Sequence, residues 1–278
     1  MEKNNTNRKY KNSVFTTLFG EKKNLLEMYS AVSGKEYPED TEVRIITLSN
    51  ILFMEQQNDI AFVIDGKLVV LIEHQSTINE NMPLRMLIYM AREYEQLTSS
   101  SDLYRQKRIG IPTPEFIVLY NGKQEYPDYK EMRLSDSFMM KNEVCFLELV
   151  VKVYNINKGR NADMVSRCSS LSGYSELVAE VEENKKSMGL AAAVKTAVKS
   201  CMSRNILVYF LKEHSAEVEN MLLGEWNLKD ALVIAREEAK EEALKEGIEI
   251  GDAKLQKLIA LWENGTSLDE AKRQLNLQ

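Results

Sequence analysis

The stretch NDIAFVIDGKLVVLIEHQ, residues 58–75, constrains this chain more than any other. Asp65-Gly66 stands between two apolar, β-prone runs, which predicts a tight hairpin. The second run, residues 68–72, is an unbroken series of Leu, Val and Ile. A strand without polar alternation is buried on both faces, so it belongs inside a sheet with layers on either side.

Three polar residues interrupt this apolar ground. Asp59 opens the first strand, and Glu73 and Gln75 close the second. Strand side chains alternate, so Glu73 and Gln75 share a face and His74 takes the other. A plain two-residue loop pairs Asp59 with Ile72 and leaves Glu73 on the opposite face. A three-residue loop or a single bulge aligns Asp59 with Glu73, and glycine bulges are frequent in hairpins, so that alignment is the expectation. Two carboxylates and an amide oxygen form a hard donor set, suited to Mg²⁺ or Mn²⁺ and unsuited to Zn²⁺. A metal of this kind lowers the pKa of a bound water and stabilises charge on a phosphate. The spacing alone fits equally a solvated Asp at a strand start and a polar strand end.

Before the hairpin, apolar residues at helical spacing over 14–32 predict a helical region, broken at Gly20 and ended by Gly34. Residues 37–40 read as a turn, 42–48 as a strand, and 51–53 as a second apolar piece. After the hairpin, 79–97 reads as a helix with Asn81 as cap and Pro83 in its first turn. Its apolar stripe is assigned to Leu84, Leu87, Ile88 and Ala91. Arg85, Tyr89 and Arg92 then share another face. It suits a DNA backbone through the forked arginine donors, or simple surface pairing with Glu93 and Glu95. Arg105, Lys107 and Arg108 precede the strand 115–120, which a β-α-β crossover adds to the same sheet, with Tyr120 and Asn121 at its end. Residues 132–138 form a short mixed piece, and 145–155 read as one more long strand.

From 161 the pattern turns helical: 162–171, 175–186, 190–203 and 205–223, punctuated by Gly173 and Gly189. The implied organisation is a disordered tail over 1–12, a core over 13–160, a helical subdomain over 161–225, and a charged helix with a helix-turn-helix-like end over 226–278. Leu232, Ala235, Ala239 and Ala243 give the tail helix a narrow apolar stripe, suited to a partner or a second copy of the chain. Ser267 to Glu270 has the form of a capping box.

The chain has 278 residues and a formal net charge of −6, so nucleic-acid binding has to come from local patches or be weak without metal. Cys145, Cys168 and Cys201 are far apart and form no CxxC or Cys/His cluster. They read as buried thiols in a reducing cytoplasm, with no zinc site. The polar, basic start has no apolar core of a signal peptide, and no run is long enough to span a bilayer.

D-x13-E-x-Q across a hairpin resembles the PD-(D/E)xK nuclease core with Gln in the Lys position. The wider string NDIAF…LIEHQSTINENMPLRMLIYMAREYEQL resembles the Rpn family of recombination-promoting nucleases, also described as YhgA-like putative transposases. VFTTLFGEKKNLLEMYSAVSGKEY, IPTPEFIVLYNG and MRLSDSF add to it in the same order. The resemblance spans roughly residues 10 to 235. It implies an α/β, restriction-endonuclease-like mixed sheet flanked by helices, with a C-terminal helical extension. It implies Mg²⁺- or Mn²⁺-dependent hydrolysis of DNA, linked to recombination or mobile elements. Asp59 and Glu73 would hold the metal, and Gln75 would orient water or share the metal shell. The superfamily's helical Glu maps by position to Glu27, and Arg85, Tyr89, Arg92, Tyr120 and Asn121 are further candidates. Gln75 is neutral where the motif has a cation, so it cannot stabilise the transition state as a point charge. A catalytically weak or inactive DNA- or protein-binding member, and a conditional nuclease acting in defence or toxicity, are the alternatives.

Overall fold

The computed structural model describes residues 13–46, 59–74, 79–98, 100–140, 143–263, 270, 273 and 274. Residues 1–12, the apolar piece 51–53, Gln75 and the Ser267 cap lie outside them.

Two helices open the fold, α1 (Val14–Phe19) and α2 (Lys22–Ser33). Ser13 and Thr16 form a reciprocal capping box at the start of α1. Gly34 ends α2 in the left-handed region at φ 72°, as the sequence predicted. Strands β1 (Val43–Ile46), β2 (Asp59–Ile64) and β3 (Lys67–His74) follow, then α3 (Met82–Leu97), the short α4 (Ser100–Leu103) and β4 (Thr113–Tyr120). Next come β5 (Tyr129–Arg133), a 3-10 turn at Leu134–Ser137, and β6 (Val150–Asn155).

The six strands form one mixed sheet in the order β1-β2-β3-β4-β6-β5. The central neighbours β3, β4 and β6 are parallel, and the outer pairings are antiparallel. Helix α3 is the crossover from β3 to β4. This is the open, helix-flanked α/β architecture that the sequence implied.

The hairpin turns on Asp65 at φ 49° and Gly66 at φ 72°, two successive left-handed residues as a type I′ turn requires. Leu68, Val69 and Val70 are all fully buried, so β3 is covered on both faces. On one face Ala61, Val70, Phe116, Val118 and Val153 pack beneath Met86, Tyr89 and Met90 of α3. On the other face Phe62 meets the Tyr29 ring of α2 edge-on, with centroids 5.3 Å apart.

Several expectations need correction. Helix α3 buries Met82, Met86, Tyr89, Met90 and Glu93. Leu84 and Ile88, assigned to the core, are exposed. Met and Tyr at i, i+4, i+7 and i+8 form a wider and longer stripe than the Leu84 set, and that stripe faces the sheet. Asn81 occupies the N-cap position without a side-chain cap bond. The last long strand begins only at Val150, because both partners, β4 and β5, pair no earlier than that residue. The preceding Phe146 is 88% exposed, and Cys145 is exposed too, not buried.

Beyond the sheet come α5 (Ala162–Val165), α6 (Ser169–Asn184), α7 (Leu190–Ser203) and α8 (Val208–Glu263), with non-helical backbone at His214. Gly173 does not interrupt a helix. It lies buried inside α6, where a Cβ would sit 2.7 Å from Leu207 Cγ, so close packing requires the missing side chain. The chain divides into two compact units, Met1–Glu225 and Trp226–Gln278. The second is helical over its described residues.

Candidate active site at the strand ends

Parallel strands in an open α/β sheet end at a common edge, and ligands bind outside the carboxyl ends of such strands. Here that edge is built from the ends of β3, β4 and β6. Glu73 pairs with Leu119, His74 with Tyr120, and Tyr120 with Asn155. Asp59 starts β2 at the same end, opposite Ile72.

The ladder between β2 and β3 is regular from the Asp59–Ile72 pair to the Ile64–Lys67 pair at the turn. The expected bulge or third loop residue does not occur there, because Asp65 and Gly66 complete a two-residue turn. Asp59 and Glu73 therefore occupy adjacent but alternate ladder positions, and alternate positions belong to opposite faces of a sheet. Their donor types suit a hard divalent cation. Among the described residues no group of three or more His, Cys, Asp or Glu side chains is assembled to hold a metal.

The other candidates divide in two. Tyr120 and Asn121 lie at the edge itself. Tyr120 is buried, its hydroxyl donates to the Gln124 carbonyl at 2.8 Å, and burial raises its pKa. Asn121 is 6% exposed. Its Nδ2 has no hydrogen-bond partner among the described residues. Tyr89 is 1% exposed inside the α3–sheet core, so it does not share an open face with Arg85 and Arg92, both of which are half-buried. Arg85 Nη1 approaches the Met82 sulfur at 3.4 Å. Glu27 is engaged elsewhere: its carboxylate accepts from the Ser169 backbone N–H at 2.8 Å, at the start of α6. A carboxylate there caps a helix N-terminus and complements its dipole.

Sequence reasoning missed the asparagines that fix this edge. Asn155 is 2% exposed; its Nδ2 donates to Tyr126 O at 2.8 Å, and its Oδ1 accepts from Asn157 Nδ2 at 2.9 Å. Asn157 Nδ2 also reaches Gly122 O at 3.0 Å. Asn161, left-handed at φ 45°, donates to Asn155 O at 2.9 Å and to Asp128 O at 2.6 Å. The available signal was the run of asparagines directly after a strand, since short amides bind loop backbone and tolerate the left-handed region.

At the opposite end of the sheet, Glu115 accepts from Tyr29 Oη at 2.5 Å and from Lys67 Nζ at 2.9 Å. Burial pushes the Glu115 carboxyl up, and these two donors outweigh it, so the net shift is downward. An open hollow of about 600 Å³ lies beside the hairpin turn, lined in part by Lys35, Tyr37, Arg44 and Asp65.

Residues 46–165 match the family model described as "Putative transposase, YhgA-like". The matched segment is similar to the YhgA-like putative transposase family. It runs from the last residue of β1 through α5, so it contains the hairpin, the crossover helix, the parallel strands and the asparagine-pinned edge. No curated protein and no solved structure matched the chain. Among the described residues no helix is long and apolar enough to cross a membrane.

Proposed function

We propose that this YhgA-like protein is a metal-dependent DNA endonuclease acting in recombination or on mobile elements. What supports it is the matched family segment, which contains the edge where three parallel strands end and both hairpin carboxylates, Asp59 and Glu73, at neighbouring ladder positions of that edge though on alternate faces. By the resemblance, Asp59 and Glu73 are the residues that would hold Mg²⁺ or Mn²⁺, which requires one strand end to turn so that both carboxylates reach the same face. A bound divalent cation supplies an acidified water and charge stabilisation at the phosphate. Gln75 would orient that water through its amide oxygen. Being neutral, it adds no positive charge at the transition state, so the rate depends more heavily on neighbouring groups. Tyr120 and the asparagine loops keep the edge rigid, which geometric catalysis needs.

The test is nicking of supercoiled plasmid with Mg²⁺ or Mn²⁺ by the wild type, Asp59→Ala and Glu73→Ala. Metal-dependent nicking that disappears in both variants is the expected result. Absence of nicking by the wild type, together with no calorimetric metal binding, would overturn the proposal.

The alternate ladder positions of Asp59 and Glu73 favour a second reading, a catalytically inactive member that binds DNA or protein through the same edge. Plasmid retardation on a gel without metal-dependent nicking would select it.

A further inference from the structure

From Glu237 to Lys257 every described side chain of α8 is exposed. A helix in water owes most of its stability to an apolar face packed on something else, and this stretch has such a face. Leu244, Ile248, Gly251, Leu255 and Leu258 follow one another at intervals of four, three, four and three residues. That is the 3.5-residue period of a coiled-coil seam. No charged residue falls on the seam between Leu244 and Leu258. Its large members stand open: Leu244 is 65% exposed, Ile248 55% and Leu255 53%.

Gly251 indicates what the seam faces. A glycine inside a helix destabilises it relative to alanine. A Cβ added at Gly251 would meet nothing within 4 Å, so the surroundings within this chain give no reason for the glycine. A large side chain arriving from a partner does. Two copies of the segment supply it when they run antiparallel. Aligning Leu244 with Leu255 of a second copy places Ile248 opposite Gly251 of that copy and Gly251 opposite its Ile248, large against small in both layers. The same alignment brings Lys245 beside Asp252 of the second copy on the flank of the seam, twice by symmetry. A parallel pair has neither feature. It sets Gly251 against Gly251, which leaves a gap in the seam, and Lys240 beside Lys245.

We infer that residues 244–258 of α8 form an antiparallel coiled-coil pair with the same residues of a second copy of this chain. The layers are Leu244–Leu255, Ile248–Gly251 and their symmetry mates, and Lys245 with Asp252 sets the direction. Glu241, three residues before Leu244 on the same period, closes the seam. The pair is therefore short, and its population depends on concentration. The inference does not depend on the nuclease reading.

The test is the mass of the full-length protein by sedimentation equilibrium over a dilution series. The wild type is compared with Leu255→Lys, Gly251→Leu, Lys245→Asp, Asp252→Lys and the double variant Lys245→Asp/Asp252→Lys. The wild type is expected to pass from monomer to dimer as concentration rises. Leu255→Lys is expected to weaken the dimer about a hundredfold or more, because both Leu244–Leu255 layers are lost. Each single charge reversal sets like charges together on both flanks and is expected to weaken it about tenfold, and the double reversal to restore it. Gly251→Leu is expected to weaken the dimer although it improves the helix, since the new side chain meets Ile248. A tighter dimer in Gly251→Leu would show a parallel pair and overturn the inference. So would a wild type that stays monomeric to its highest soluble concentration, a dimer that survives Leu255→Lys, or a double reversal that restores nothing.

Discussion

Glu115 and Glu93 carry the same carboxyl group into environments of opposite sign. Glu115 is desolvated, but the Tyr29 hydroxyl and the Lys67 ammonium more than compensate, and its pKa is lowered. Glu93 is 6% exposed on the core side of α3, and burial alone raises its pKa. The folded state therefore binds the Glu115 proton more weakly than the unfolded chain does. That stability is present above the ordinary Glu value of about 4.3 and is lost as pH falls through the lower folded value. Glu115→Gln is expected to lower the urea midpoint at neutral pH and to flatten the acid limb of the stability curve. Glu93 behaves inversely: the folded state holds its proton more tightly, so stability falls as pH rises from the ordinary Glu value through the raised folded one. Glu93→Gln is expected to raise the urea midpoint at neutral pH and to change little near pH 4. Urea titrations of both variants across pH check the two signs together, and matching slopes would show that the two environments do not differ as described.

Helix α3 shows where sequence reasoning succeeds and where it loses phase. Its existence, its Pro83 start and its role as crossover were legible from local signals. Its rotation was not, because the segment offers two apolar stripes, Leu84-Leu87-Ile88-Ala91 and Met82-Met86-Tyr89-Met90, and only the shape of the sheet below chooses between them. The second stripe also contains Glu93, which counts against it on the page and is tolerated in the fold. The same cause lengthened the last strand. CFLEL has strand-like composition, but a strand needs a neighbour, and pairing starts only at Val150. At the candidate site, Tyr120 and Asn121 were legible as a strand end, whereas the Asn155–Asn157–Asn161 ties connect loops that no local pattern joins. Met86→Ala and Met90→Ala are each expected to cost about 2–5 kcal/mol, as buried large-to-small changes do. Leu84→Ala and Ile88→Ala should stay within about 1 kcal/mol, as at exposed positions. Denaturant unfolding of the four variants would reverse this order if the helix lay in the other phase. Gly173→Ala, which crowds Leu207 inside the α6 packing, is expected to cost about 1–3 kcal/mol by the same measurement.

Over the whole molecule, charge decides how DNA could be held. The chain carries 36 basic and 42 acidic residues, and many of its described cations already face carboxylates. Lys35 meets Asp65, Lys67 meets Glu115, Lys130 meets Glu80, Lys158 meets Glu176, and Arg204 spans Glu176 and Glu180. Most of these pairs are exposed and add little stability. Their consequence is for the field: each local positive charge is offset before a phosphate arrives. A protein that bound DNA by general attraction would displace many counterions, and its affinity would fall steeply with salt. On the proposed nuclease reading, DNA is held through a few contacts concentrated at one edge. A plot of log affinity against log salt for a short duplex in Ca²⁺ is therefore expected to have a shallow slope, of about −3 or less in magnitude, equivalent to roughly three neutralised phosphates. On the proposed reading, Asp59→Ala and Glu73→Ala should weaken binding in Ca²⁺ while leaving that slope nearly unchanged, because the groups they remove would hold the metal and are not phosphate-neutralising cations. A slope of about −6 or steeper would place the contacts on a broad basic surface and take the strand-end edge out of the central role in DNA binding.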